Sequence, residues 1–393
     1  MKNEIVSYDF TPDIPTEEIF LGREENGCIY CKRPYEKSFF IKKAHAVPEL
    51  LGNKFLFSKN ECDLCNAIFS KIERDFSFFI GIDRTLYSMK GKKGVPRHAF
   101  NEDQKIIHNK HFNIPVVSVL PSTGNVKLDH SNKTSTIEYT KNSYYNTSVF
   151  KCLVKMALSI LPIELVWKYT VLTEFVRQDI TRPYPLKKLT EEQYKQSNGE
   201  LEYFNFNFFM LITRLQFFNM PPRRGFKISL VKTEVESNCF IFMLYFGSVA
   251  LQIIIPDDDF LLRAFCEQVV HGSTYKFMLL SPDAIASILP TSKFSSDVID
   301  CREHKKIEKE VEVKGFSYGN AIKLDEEILK LDDNGNLTED SLRRAITILK
   351  WNMLLTVIWK NNSAVQYSFN CTVGGSETGG HNAIRSVGLI SEA

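Results

Sequence analysis

The stretch that decides the fold begins with CIYC at residues 28–31, continues with KAHAVPELLGN at 43–53 and ends with CDLCN at 62–66. Each Cys-x-x-Cys pair presents two sulfurs on one tight turn, where both can bind the same metal ion. Two such pairs, separated by one loop, supply the four thiolates of a tetrahedral zinc site. We therefore predict one structural zinc ion bound by Cys28, Cys31, Cys62 and Cys65.

The loop between the cysteine pairs carries a histidine that this zinc ion does not need. Since four cysteines complete the zinc site, His45 is available for acid–base chemistry, and an imidazole titrates near physiological pH. The opposing interpretation is a structural histidine on a hairpin. Its position between two zinc-binding pairs, three residues before Pro48, favours the chemical role.

The order C-x-x-C, H-x-x-P-E-x-L-G, C-x-x-C-N over residues 28–81 resembles the HNH endonucleases, also called ββα-metal or His-Me finger nucleases. The resemblance implies a β-hairpin carrying His45, a loop, and a helix beginning near Cys65. It also implies one catalytic divalent metal, usually Mg²⁺, and the hydrolysis of a phosphodiester bond.

The resemblance further implies roles for individual residues. His45 matches the general base, and Asn66 matches the residue whose side-chain oxygen binds the catalytic metal, although Asn is also a good helix N-cap. The middle asparagine of the motif, which orients the base through backbone contacts, matches Asn60 or Asn53. We favour Asn60 slightly because it lies nearer the second cysteine pair.

One position departs from the family pattern. Many HNH enzymes carry a metal-binding Asp, Glu or His immediately before the base, whereas this chain has Ala44. Another carboxylate must then help to bind the metal, and we expect Glu73, two helical turns after Asn66, or else Glu49. Other candidate carboxylates of the module are Glu61, Asp63 and Asp75.

The remaining composition indicates an intracellular chain. Five further cysteines are scattered singly, so we expect reduced thiols in the cytoplasm and no disulfide framework. The first 20 residues lack the apolar segment of a signal peptide, and the longest apolar stretch, residues 240–256, predicts buried strands and no membrane span. These five cysteines are Cys152, Cys239, Cys266, Cys301 and Cys371.

A cluster of basic residues follows the cysteine-rich segment, although the net charge of the whole chain is only +2. A glycine-containing basic loop at this place can contact the phosphates of a nucleic acid. A solvated linker is an equally good interpretation. The residues that would contact phosphates are Lys90, Lys92, Lys93 and Arg97.

The rest of the chain predicts a mixture of helices and strands. We expect short strands over 106–139, a helix that begins at the cap residues 146–148 and ends before Pro162, and a second helix from Pro162 to Arg177. Strands follow over 206–256, and a last helix is expected over 339–360. The Gly/Ser-rich tail predicts mobility.

At 393 residues the chain is too long for one ordinary core. We predict an α+β protein with an HNH module at 1–85, a linker and α+β region at 86–185, a C-terminal α+β sensor or targeting domain at 186–375, and a tail at 376–393. The resemblance implies Mg²⁺-dependent cleavage of DNA by an effector of bacterial antiviral defence. It also suggests self-association, or a partner defence protein, through the C-terminal region. The alternatives are a non-catalytic zinc-stapled nucleic-acid-binding or scaffolding protein and an RNA-cleaving toxin.

Overall fold

The computed structural model describes most of the N-terminal half and separate strands of the C-terminal half. The described residues are 4–11, 16–99, 105–109, 114–119, 126–129, 134–178, 209–216, 223–232, 239–259, 293–301, 304–317, 353–360, 364–372 and 384–389. In these ranges helices and strands are mixed, so the predicted α+β class is confirmed at this level.

The described residues form both helices and strands. The α-helices are α1 (Asp63–Ile80), α2 (Asp83–Leu86), α3 (Asn146–Ile160) and α4 (Thr170–Arg177). The strands are β1 (Glu4–Phe10), β2 (Ile19–Leu21), β3 (Ala44–His45), β4 (Leu56–Ser58), β5 (His98–Ala99), β6 (Lys105–Asn109), β7 (Ile114–Val119), β8 (Val126–Asp129), β9 (Thr134–Lys141), β10 (Tyr144–Tyr145), β11 (Phe209–Gln216), β12 (Arg223–Lys232), β13 (Phe240–Gly247), β14 (Val249–Ile255), β15 (Lys293–Asp300), β16 (Lys306–Ile307), β17 (Glu310–Ser317), β18 (Met353–Lys360), β19 (Ala364–Thr372) and β20 (Ile384–Leu389).

A six-stranded antiparallel sheet, in the order β1-β12-β13-β14-β11-β15, packs against the cysteine-rich segment. Its central strands β13 and β14 are buried along their whole length, as their nearly continuous apolar sequence predicts. β1 comes from the predicted N-terminal module and pairs with β12 of the predicted C-terminal domain. The two segments therefore share one sheet, on either side of the boundary predicted at residue 85.

Helix α3 lies between this sheet and α1. It packs against β13 and β14 on one side and against α1 on the other, and all 15 of its residues are buried. The helix begins at Asn146 and ends two residues before Pro162, as predicted, because proline cannot donate the next helical hydrogen bond. A helix buried on every side places its few polar residues inside the protein.

Two sequence predictions need correction. The helix expected from Pro162 begins only at Thr170, after a 3₁₀ turn at Val166–Tyr169. The end of the helix expected over 339–360 is the strand β18, which pairs with β7 and β19. A short apolar run fits either period, and the available strand partners decide between them. The start of that expected helix, residues 339–352, lies outside the described residues.

The other sheets are smaller or formed by separated segments. The orders are β20-β19-β18-β7-β6-β5, β17-β9-β8, β2-β4-β3 and β10-β16. The predicted strands at 106–139 are confirmed within the described residues as β6, β7, β8 and β9. Across the described ranges, no helix has both the length and the apolar character that crossing a membrane requires.

Candidate metal centre and histidine site

Four cysteine sulfurs from two loops come together in one cluster. All four lie within 4.8 Å of one another, with Cys28 Sγ 3.7 Å from Cys65 Sγ and Cys31 Sγ 3.6 Å from Cys62 Sγ. A tetrahedral zinc ion with bonds of about 2.3 Å sets sulfur–sulfur distances of about 3.8 Å. The cluster can therefore hold a metal ion such as zinc.

The pKa values of these thiols also favour the binding of a cation. A hydrogen bond with Cys65 lowers the pKa of Cys28 to about 4, and the same bond raises the pKa of Cys65. Burial raises the pKa of Cys62. Because thiolates this close repel one another, all four can be deprotonated together only when a cation neutralises them.

Each cysteine pair lies on a turn fixed by backbone hydrogen bonds. In the first turn the N–H of Lys32 donates to the carbonyl of Cys28 at 2.9 Å, and Lys32 has a left-handed φ of 59°. In the second, Cys62 is the N-cap residue of α1, and the N–H of Asn66 donates to its carbonyl at 2.9 Å. The first turn of α1 thus presents Cys65 to the cluster.

Asn60 ties the two cysteine loops together. Its side-chain oxygen accepts from the N–H of Arg23 at 2.9 Å, and its amide nitrogen donates to the carbonyls of Arg23 at 2.6 Å and Gly27 at 2.8 Å. Gly22 makes room for this arrangement, since a Cβ there would lie 1.7 Å from Asn60 Oδ1. The side-chain bonds of Asn60 thus lie at the first cysteine loop, and its role in orienting the base stays a prediction.

His45 lies on the two-residue strand β3, opposite Phe57 of β4, and the two rings pack with their centroids 4.9 Å apart. Its Nδ1 is buried and makes no hydrogen bond within the described part of the chain, and its Nε2 lies 3.8 Å from Glu49 Oε2. Burial lowers the pKa of His45, against the opposite effect of the Glu49 carboxylate. The imidazole is therefore neutral near pH 7, as an acceptor of protons must be.

Asn53 closes the loop that follows His45. Its amide nitrogen donates to the carbonyls of Val47 at 2.6 Å and Leu56 at 2.8 Å, while its oxygen accepts from the N–H groups of Phe55 and Leu56. The side chain is fully buried. Of the two candidates for the middle asparagine, Asn53 is therefore the one that joins the loop after β3 to the start of β4.

Asn66 is partly exposed on the first turn of α1, where the N-cap position belongs to Cys62. Two of the candidate replacement ligands bind backbone instead. Asp63 accepts from the N–H groups of residues 41 and 42, and Asp75 accepts from the backbone of β10 at 3.4 Å. These contacts leave Glu49, Glu61 and Glu73 as the carboxylates to consider.

Lys155 of α3 forms a buried charge cluster beside His45. Its Nζ lies 3.2 Å from Glu61 Oε2 and 3.7 Å from Glu73 Oε1, and it also donates a short hydrogen bond to the backbone carbonyl of His45. Burial raises the pKa of Glu61 to about 7 and raises that of Glu73. Burial disfavours the charge on Lys155, but the two carboxylates outweigh it and raise its pKa. Glu73 therefore pairs with a lysine, and Glu49 is the carboxylate beside the imidazole.

The basic segment after α2 is folded against the histidine site. Backbone bonds of 3.1 and 3.0 Å between Gly91 and Gly94 close a tight turn. A Cβ on Gly91 would lie 3.7 Å from the carbonyl of Glu49, and Arg84 donates to the carbonyl of Leu50 at 3.1 Å. The loop is thus fixed beside Glu49. The side chains predicted to contact phosphates lie at least partly exposed along it, and they are Lys90, Lys92, Lys93 and Arg97.

Lys155 is a residue of this site that the sequence did not predict. The available signal was its place in α3, where two lysines four residues apart, Lys151 and Lys155, interrupt a largely apolar helix. Such a pattern usually indicates a solvated face, and only the tertiary packing shows that both lysines are buried.

No family model, curated protein or solved structure matches this chain.

Proposed function

We propose that this protein is a metal-dependent endonuclease of the HNH type, which hydrolyses phosphodiester bonds of DNA. The observation that carries the proposal is His45 on β3, followed by a hairpin loop, strand β4 and helix α1, with a four-cysteine cluster at the start of that helix. Strand, strand and helix occur here in the order that the resemblance implies. The proposal rests on this arrangement together with the sequence resemblance.

In the proposed reaction His45 removes a proton from the attacking water. Its lowered pKa keeps the imidazole neutral, and Glu49 beside Nε2 can stabilise the imidazolium that forms. Asn53 fixes the loop after β3 and so limits the motion of the histidine strand. These contacts prepare a general base before any substrate binds.

A divalent cation such as Mg²⁺, when bound, would neutralise the charge that develops on the phosphate. The oxygen donors that suit it are the Glu49 carboxylate and the Asn66 amide, which are hard ligands on the hairpin and on α1. Ala44 has no donor group, and Glu73, the first choice from the sequence, contacts Lys155. We therefore prefer Glu49 as the replacement ligand.

The basic loop supports a nucleic acid as the substrate. Its lysines project from a turn that is fixed beside Glu49, so the backbone of a bound strand can contact them while one phosphate reaches His45. The same contacts suit DNA and RNA. Because of the resemblance, we propose that the substrate is DNA and that the enzyme acts in bacterial antiviral defence.

The decisive experiment incubates supercoiled plasmid with the full chain, with and without Mg²⁺. We expect Mg²⁺-dependent cleavage that falls by about 10²–10⁴-fold in His45→Ala, the usual cost of losing a general base. His98→Ala is the matched control, because His98 is also partly buried with a lowered pKa but lies on β5. If wild type and His45→Ala are equally active, or neither cleaves DNA, the nuclease proposal is wrong, and the non-catalytic alternative or, if only RNA is cut, the toxin replaces it.

A second experiment distinguishes the two candidate carboxylates. Glu49→Gln and Glu73→Gln remove one charge each without changing the size of the side chain. We expect Glu49→Gln to raise the Mg²⁺ concentration needed for half-maximal cleavage and Glu73→Gln to leave it unchanged. The reverse result would make Glu73 the metal ligand, as the sequence alone suggested.

A further inference from the structure

A lysine from outside the cysteine-rich segment reaches the strand that carries the histidine. Lys155 belongs to α3, 110 positions after His45 in the sequence, and its Nζ donates to the His45 backbone carbonyl. The lysine side chain is 1% exposed and the Glu61 side chain is fully buried. The contact is thus closed to water.

The backbone of Lys155 also contacts the first cysteine loop. Tyr30, inside the first cysteine pair, donates from its hydroxyl to the carbonyl of Lys155 at 3.2 Å and lies 3.0 Å from Ser159 Oγ. One residue of α3 therefore touches the cysteine loop through its backbone and the histidine strand through its side chain. This double contact fixes the distance between the two parts of the site.

Stability alone does not require a buried charge here. Buried ion pairs are costly to desolvate, and well-packed apolar residues of similar volume often stabilise a protein as well or better. A lysine in such a place, with its Nζ also donating to the carbonyl of His45, indicates a geometric role. Lys151, one turn earlier on α3, offers a comparison, because it is equally buried but donates to the carbonyl of Gln178.

We propose that Lys155 is a positioning residue, which fixes strand β3 and thereby the direction of the His45 imidazole toward the scissile phosphate. This inference rests on the proposed nuclease function. Glu61 and Glu73 keep the lysine charged and hold its Nζ against the carbonyl. Lys155 acts only through His45 and does not itself contact the substrate.

The test compares single-turnover cleavage of DNA by Lys155→Met, by the double variant Lys155→Met/Glu61→Gln, and by Lys151→Met. Lys155→Met leaves a buried carboxylate unpaired, so a loss of stability alone could lower its activity. The double variant replaces Lys155 and the fully buried Glu61 by neutral side chains of similar size, while Glu73, whose side chain is 25% exposed, keeps access to water. Zinc content, Tm and DNA affinity without Mg²⁺ are measured for each protein.

We expect the double variant to recover the Tm, zinc content and DNA affinity of wild type, while its cleavage rate stays about 10–100-fold lower, because a displacement of about 1 Å can cost that much. Lys151→Met should cleave at the wild-type rate. If cleavage recovers together with stability in the double variant, or if DNA affinity falls as much as the rate, Lys155 is structural and the inference is wrong. Failure of the nuclease proposal looks different, since wild type itself would then not cleave DNA or His45→Ala would cleave it normally.

Discussion

Loss of zinc from the cysteine cluster should unfold α1 and loosen α3 as well. The perturbation is Cys65→Ala, which removes a fully buried ligand from the first turn of α1. Structural zinc contributes on the order of 10–16 kcal/mol in small zinc domains, which is as large as the whole stability of an ordinary domain, about 5–15 kcal/mol. The folded hairpin and α1 should therefore not survive without the metal.

The effect should spread because the cysteine loop is part of the common core. Tyr30 packs edge-to-face on Phe69 of α1 at 4.7 Å and makes hydrogen bonds to α3, so displacement of the loop exposes both helices. Hydrogen exchange resolves this by segment, which suits a long chain that need not unfold in one step. We expect exchange in α1 to accelerate at least about 10³-fold, since each factor of ten corresponds to about 1.4 kcal/mol.

Cys239→Ala is the matched control, because Cys239 is equally buried but lies outside the cluster, immediately before β13. We expect it to keep one zinc ion per chain and to cost about 0.5–3 kcal/mol, as ordinary substitutions do. Purified wild-type protein without zinc, or a Cys65→Ala variant whose α1 exchanges as slowly as wild type, would refute this reasoning.

Three further predictions concern the surroundings of the cluster. Gly22→Ala should lower the Tm and zinc retention much more than Gly94→Ala. Both positions have a left-handed φ, but only the added methyl at Gly22 collides with Asn60. Equal losses in the two variants would contradict this. Replacing Lys92 and Lys93, at the tip of the basic loop (residues 90–97), by alanine should weaken DNA binding. The slope of log affinity against log salt should fall by about 0.9 for each phosphate that the loop no longer neutralises, whereas an unchanged slope would show that the loop does not contact DNA. Because burial lowers the pKa of His45, cleavage should persist as the pH falls below about 6.5. The folded state should lose stability over the same range, since the unfolded chain binds the proton more tightly. A cleavage rate that already falls above pH 7 would argue against His45 as the base.

The sequence predicted the parts of the site that depend on local spacing. Two Cys-x-x-Cys turns fix four sulfurs in pairs, and the structure brings the pairs to within one ion's reach. The helix that the resemblance implies after the second pair also appears, and it begins at Asp63 because Cys62 takes the cap position. Spacing could not choose between Asn53 and Asn60, since both lie between the two cysteine pairs and their partners are backbone groups that only the folded chain brings near.

The amino-acid pattern by itself therefore determined the two cysteine pairs, the largely apolar helix α3 and the buried strands of the main sheet, because each depends on residues close together in the chain. Tertiary structure alone decided that β1 joins β12, that β18 is a strand, and that Lys155 pairs with Glu61 beside His45. These are contacts between residues far apart in the sequence, whose energy depends on burial and on the available partners. A lysine on an apolar helix and an isolated glutamate look like surface residues until packing removes both from water.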